Sequence, residues 1–146
     1  MKQGLFTVKE NTALNALVYK MVLFGDTSDV TRAGQFVNVQ LSGKFLRRPI
    51  SVCDVNGDEL TLVYKVVGKG TKQMSEMQVS DTVDVLSGLG NGYDLSPSGE
   101  RPLLIGGGVG VPPLYKITMG KDKYIYLKDE AELEKFKVEN KGKKYQ

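Results

Sequence analysis

The stretch Arg47-Arg48-Pro49-Ile50-Ser51-Val52-Cys53-Asp54-Val55, then Asn56-Gly57-Asp58, then Glu59-Leu60-Thr61-Leu62-Val63-Tyr64-Lys65-Val66, decides how this chain folds. Its two flanks are short and rich in aliphatic and β-branched residues, and the three residues between them are turn formers. Asn-Gly accepts the positive φ that a type I′ turn demands, so the stretch reads as a β-hairpin. Just upstream, Val37, Val39 and Leu41 alternate with Asn38 and Gln40. A period of two turns one face to a core and the other to water, as a half-buried strand requires. Further strands are expected at Leu5 to Val8, Ala16 to Phe24 and Thr82 to Leu86. Short strands separated by turn signals are the signature of a mainly β barrel or sandwich. One helical interruption of about two turns is expected over Thr71 to Met77, with Gly70-Thr71 as the flexible approach and N-cap.

Composition narrows the chemistry. A chain of 146 residues suits one domain with an appendage. No apolar run nears the roughly 20 residues of a membrane span, and Met1 to Phe6 lacks the apolar stretch of a secretory signal. A cytoplasmic protein is the expectation. Cys53 is the only cysteine and histidine is absent, which excludes intrachain disulfides, four-thiolate metal sites and histidine-based triads. Chemistry must come from a cofactor or from carboxylates. The net charge is +3, yet residues 1–116 carry 12 basic and 11 acidic groups. A nucleic-acid partner is not expected, because the body lacks a basic patch with interleaved aromatics.

Toward the C-terminus the character changes. Gly88, Gly90 and Gly92 mark a loop, and Ser96-Pro97-Ser98-Gly99-Glu100 is a polar turn where a boundary is expected. Leu103-Leu104-Ile105 reads as a buried strand entering Gly106-Gly107-Gly108-Val109-Gly110-Val111-Pro112-Pro113, the opening of a parallel α/β unit. In the tail, Tyr124 to Leu127 reads as a strand and Asp129 as the cap of a helix over Glu130 to Lys137. The expected division is a barrel over 1–100, an α/β opening over 101–116 and an atypical strand-helix tail over 117–146.

Two segments carry binding chemistry. In Lys44-Phe45-Leu46-Arg47-Arg48-Pro49-Ile50-Ser51, an arginine fork on a proline-stiffened strand can sit beside a diphosphate, with a hydroxyl farther along to meet the rest of the ligand. The same segment also reads as a solvated edge strand in which Pro49 blocks pairing. In Val63-Tyr64-Lys65-Val66-Val67-Gly68-Lys69-Gly70-Thr71, a strand with an aromatic feeds a glycine turn at a helix start, where free amides favour phosphate. Its plainer reading is a strand-to-helix connection with Tyr64 as barrel filling. Together the two segments describe two walls of one dinucleotide pocket. Cys53 reads as a small buried hydrophobe more readily than as a redox group.

Taken in order, Ala33-Gly34-Gln35-Phe36, Leu46 to Ser51, Tyr64 to Thr71, Leu89-Gly90-Asn91-Gly92-Tyr93 and Gly106 to Leu114 resemble the ferredoxin-reductase-like flavoproteins. Within them the chain is similar to the electron-transfer subunits of bacterial NAD-dependent dihydroorotate dehydrogenases, over residues 1 to about 116. The resemblance implies a six-stranded antiparallel Greek-key barrel that binds FAD. It implies that Arg48, Pro49, Ile50 and Ser51 line the flavin and its phosphates, that Val63, Tyr64 and Lys65 flank them, and that Gly70 and Thr71 hold the diphosphate. Gly107 and Gly108 would belong to the nicotinamide side. The implied partner is a catalytic dihydroorotate dehydrogenase subunit or another redox protein in a hetero-oligomer.

The family also implies NAD and a [2Fe-2S] cluster held by four cysteines. Residues 117–146 contain no cysteine, so the expectation is a flavin-binding chain, truncated after its FAD domain, with neither the cluster nor a complete NAD site. A sulfide dehydrogenase subunit, a ferredoxin-NADP reductase and a barrel that binds a partner without catalysis are the other readings.

Overall fold

The computed structural model describes residues 1–99 and 103–118, and besides these residues 131, 134, 135 and 138. The hairpin forms as β4 (Arg48–Asn56) and β5 (Glu59–Lys65), closed by the pair Asn56 with Glu59. Gly57, at φ +57, takes the first central position of its turn, whereas Asp58 keeps a negative φ. One positive φ at that position is the pattern of a type II′ turn, so glycine serves the turn one place earlier than a type I′ reading of Asn-Gly assumes.

Around this hairpin stand β1 (Lys2–Ala13), β2 (Val18–Phe24), β3 (Phe36–Val39) and β6 (Thr82–Leu89). The strands close into a barrel in the order β1-β2-β5-β4-β3-β6 with antiparallel neighbours throughout. This is the expected Greek-key barrel. β4 is paired on both sides only from Val52 onward; Arg48 to Ser51 pair with β3 alone and keep one open side, as the edge-strand reading expects. Pro49 is tolerated because it faces Asn38 on β3, while the β5 ladder begins only at Val52.

Alternation fills the interior. Val37 and Val39 of β3, Leu60 and Leu62 of β5, Val83 and Val85 of β6, and Phe6 and Val8 of β1 are all buried in one cluster. β1 runs longer than its apolar core suggests, because its flanks extend the β2 and β6 ladders with polar side chains facing water.

The helix, α1 (Lys69–Ser75), caps one end of the barrel with Met74 fully buried. It begins two residues earlier than expected. Gly68 is the N-cap and Thr71 stands at N3, its Oγ1 accepting the amides of Val67 and Gly68 at 2.9 and 3.2 Å. The hydroxyl reaches back from inside the helix rather than forward from its cap. At the other end of α1, Asn11 of β1 donates Nδ2 to the carbonyls of Met74 and Met77 at 2.9 and 3.0 Å, and accepts the Tyr64 hydroxyl at 3.0 Å. A side chain from a distant strand thus satisfies carbonyls that a helix end leaves open.

Residues 103–107 form no strand, and Leu103 and Ile105 are exposed, contrary to the expected buried β-element. A parallel strand needs hydrogen-bonded neighbours, and none lies beside it among the described residues. The glycine turn is present as a 3₁₀ turn at Gly108–Gly110, leading into α2 (Pro112–Thr118), which packs on β4. Proline at the helix start accounts for that onset. The strand expected at Tyr124 to Leu127 lies outside the described residues. Of the tail helix, Ala131, Glu134 and Lys135 are helical, as is Val138 just past it; the rest lies outside them. Among the described residues no helix is long and apolar enough to cross a membrane.

Two outcomes test this packing. Met74→Ala should cost about 2–5 kcal/mol in urea unfolding, since it opens a cavity at the barrel end; a loss under about 1 kcal/mol would show that α1 does not plug it. Burial pushes the Tyr64 phenol well above its ordinary value, with the Asn11 bond opposing. The folded state therefore holds the proton more tightly than the unfolded chain. The stabilisation is complete below about pH 10, the unfolded tyrosine value, and is lost as pH climbs beyond it. Tyr64→Phe should flatten that alkaline loss in thermal melts taken at rising pH.

Candidate functional site

The register of β3 on β4 assigns each residue of the arginine segment to a face. Arg48 and Ile50 pair with Val39 and Val37, which point inward, whereas Pro49 and Ser51 pair with Asn38 and Phe36, which point outward. Three residues of strand separate Arg48 from Ser51, about 10 Å. The segment is extended strand and does not grip a single group.

At the Arg48 end of the segment, two chain-distant stretches meet. A methyl group built on Gly70 would overlap Arg48 Nε and lie 2.8 Å from Cζ, so the bare glycine backbone and the guanidinium are in direct contact. Only glycine permits that approach. Arg48 Nη1 donates to the Leu46 carbonyl at 2.6 Å, and no carboxylate pairs with it among the described residues. Its neighbour differs: Arg47 lies 2.6 Å from Asp84 and holds that carboxyl below the usual carboxylate range, helped by Gln3, although partial burial opposes the shift. Of the two adjacent cations, one is neutralised and one keeps its charge for something else.

The first-turn amides of Lys69, Gly70 and Thr71 have no acceptor inside the helix. The Thr71 hydroxyl is engaged within its own turn, where it also donates to the Gly68 carbonyl at 3.2 Å. What Thr71 can present to an anion is therefore its backbone N–H.

At the other end of the segment, Ser51 pairs with Phe36, and Phe36 pairs on its far side with Leu89. Gln35 binds this corner together, accepting the amides of Thr31 and Arg32 on Oε1 and donating Nε2 to the Gly90 carbonyl at 3.2 Å. Tyr93 lies against Gly34 and donates its amide to Ala33. The segments 33–36, 48–51 and 89–93, scattered in sequence, share one corner.

Tyr64, expected to flank the flavin, lies on the inner side of β5. Tyr64 is 2% exposed, stacked on Tyr19 with ring centroids 5.9 Å apart. Alternation along β5 sends it inward with Leu60 and Leu62, and leaves Val63 and the exposed Lys65 on the outer face. Gly107 and Gly108 are exposed on the 3₁₀ turn, which touches β5. Cys53 is buried, and burial, reinforced by the Asp54 charge, raises its thiol pKa. A protonated, covered thiol is a packing residue, not a nucleophile. Asn11 holds the site in shape without having stood out in the sequence, because a side-chain bridge between remote strands leaves no periodic trace; Gln35 was quoted only as part of the Ala33 to Phe36 motif.

Comparison with known proteins agrees with the geometry. No family model matches the chain. The electron transfer subunit of dihydroorotate dehydrogenase B (NAD(+)) from Bacillus pumilus is 42% identical over 126 residues, covering 81% of this chain and 49% of the relative. The subunit of the same name from Streptococcus mutans is 40% identical over 124 residues, covering 81% and 48%. Among solved structures, the NADH-dependent reduced ferredoxin-NADP oxidoreductase superposes with a TM-score of 0.72 at 33% identity, covering 80% of this chain and 43% of that one. A ferredoxin NADP+ reductase from Neisseria gonorrhoeae with bound FAD and NADP shares the fold at a TM-score of 0.69 and 18% identity, covering 84% and 52%. The chain spans about half the length of the curated relatives it matches. By sequence and by barrel topology, the chain is a relative of the dihydroorotate dehydrogenase B electron transfer subunits, built on the ferredoxin-reductase-like FAD-binding fold.

Proposed function

We propose that this chain binds FAD along the β4 groove and serves as the flavin-holding part of an electron-transfer subunit, working between a dihydroorotate dehydrogenase catalytic subunit and NAD. The contact between Arg48 and Gly70 carries the reading. It joins the two segments that carry binding chemistry, and among the described residues it leaves an arginine without a carboxylate partner beside helix-start amides without acceptors inside the helix. Such a corner suits a diphosphate, because charge-assisted hydrogen bonds to an anion are roughly twice as strong as neutral ones. The names of the relatives supply the electron-transfer role.

When bound, the flavin supplies the redox chemistry, and the protein supplies placement and electrostatics. Arg48 offsets diphosphate charge from the rim, while the amides of Gly70 and Thr71 donate to the same group. Ser51, on the outer face, offers a hydroxyl to the flavin end, where Ile50, Pro49, Val63 and Lys65 shape the groove. Gly107 and Gly108 keep side chains off the approach to that face. The barrel to about residue 100 is the FAD domain, and residues 101–116 open the nicotinamide side. A catalytic subunit of the same complex is the partner.

The visible spectrum of the purified protein, with and without added FAD, decides the matter: no flavin bands and no uptake at micromolar FAD would sink the reading. Arg48→Ala removes one charge-assisted contact, worth about 1.5–3 kcal/mol, and should weaken FAD binding by about 10- to 100-fold. Gly70→Ala should act in the same direction, because its methyl must displace the guanidinium. If both variants bind FAD like the parent, the rim does not hold the diphosphate.

A further inference from the structure

The glycine turn after the barrel is held by something other than strand pairing. Residues 103–107 carry no regular structure. The turn itself is tightly folded: Gly110 donates its amide to the Gly107 carbonyl at 2.9 Å, and Leu114 donates to Val111 at 3.0 Å. A methyl on Gly106 would meet Leu114 Cδ1 at 3.0 Å and the Gly110 carbonyl oxygen at 3.1 Å. Turn and α2 therefore move as one piece. That piece is anchored to the barrel at α2, where Ile117 is buried and Lys116 reaches β4. Lys116 Nζ donates to the Val55 carbonyl at 3.1 Å and lies 3.7 Å from Asp54 Oδ1, with both side chains about two-thirds shielded from water. A partly buried cation that meets a carbonyl and a carboxylate together is a more rigid fastening than an exposed ion pair.

We infer that Lys116 is a positioning residue, which clasps the Gly106–Gly110 turn onto the β4–β5 hairpin and so sets how much solvent reaches a flavin held there. The inference rests on the flavin reading above. The geometry follows from shared strands: β4 carries Ser51 near its start and Asp54 and Val55 near its end, while the turn touches β5, whose outer face carries Val63 and Lys65. Lys116 thus adds a polar tie to the packing of α2 on β4, and α2 follows directly on the turn. Val109, half exposed on the turn, supplies an apolar cover.

The test uses the flavin-loaded chain with Lys116→Met, which keeps the apolar stem, and Lys116→Arg, which keeps charge and donors. Amide hydrogen exchange reads the turn, and iodide quenching of flavin fluorescence reads access to the cofactor. Lys116→Met should speed exchange at the hydrogen-bonded amides of Gly110, Val111 and Leu114 about tenfold, with the barrel strands unchanged, as expected for local opening. Iodide quenching should rise in the same variant, and Lys116→Arg should return both readouts toward the parent. Unchanged exchange in Lys116→Met overturns the clasp. Faster exchange with unchanged quenching overturns its role at the flavin. A chain that takes up no flavin defeats the cofactor reading instead, and the exchange measurement then judges the clasp alone.

Discussion

Closing six strands into a barrel leaves an interior that admits one side chain of every two, and most of this structure follows from that constraint. Leu60, Leu62 and Tyr64 fill the inside from β5, and Val83, Val85 and Ser87 from β6. Once those residues are committed inward, the intervening ones have nowhere to go but the outer surface. Ser51, Val63 and Lys65 therefore face outward as a consequence of core packing. A slip of one residue in the β3–β4 register would put Ser51 into the core and Val52 into the groove. The binding face and the core are two sides of one decision.

The barrel has two ends, and an open end would leave its filling exposed. α1 closes one of them, but seven residues make a helix too short to stand alone. Its stability comes from Met74 beneath it and from Asn11, which ties the last turn to β1 while holding the Tyr64 hydroxyl. With its C-terminal end fixed in this way, the start of α1 has a defined position over the rim, and there the bare backbone of Gly70 meets Arg48. A stability device at one end of a helix sets the geometry of a binding corner at the other.

Much of this was legible in the residues. Period-two alternation in Val37 to Leu41 and the turn formers at Asn56 to Asp58 are local signals, so all six strands were placed and the hairpin was found. The ordered set of short motifs pointed to the right family, because each constrains a backbone feature that the fold needs. Three things were not legible, for a common reason. That β4 pairs with β3 over Arg48 to Ser51 and with β5 only from Val52 depends on where both neighbours lie, which of the two readings of Tyr64 holds depends on the register of β5, and that Leu103 to Ile105 finds no partner strand among the described residues depends on which strands lie nearby. Each is settled by a partner distant in sequence, about which a local pattern carries no information.

The two adjacent arginines show how that distance matters for function. In the sequence Arg47 and Arg48 are a single fork of positive charge. On a strand they must point to opposite sides, and the sheet gives them different surroundings. Arg47 meets Asp84 from β6 and the carbonyl of Asn38, so its charge is consumed in joining the barrel's strands. Among the described residues, Arg48 meets only the Leu46 carbonyl and the backbone of Gly70. An arginine with one neutral acceptor retains most of its unit charge and most of its five donors. Alternation has thus divided a pair of like residues into a structural cation and one available to an anion, and the available one stands where the helix start presents its free amides.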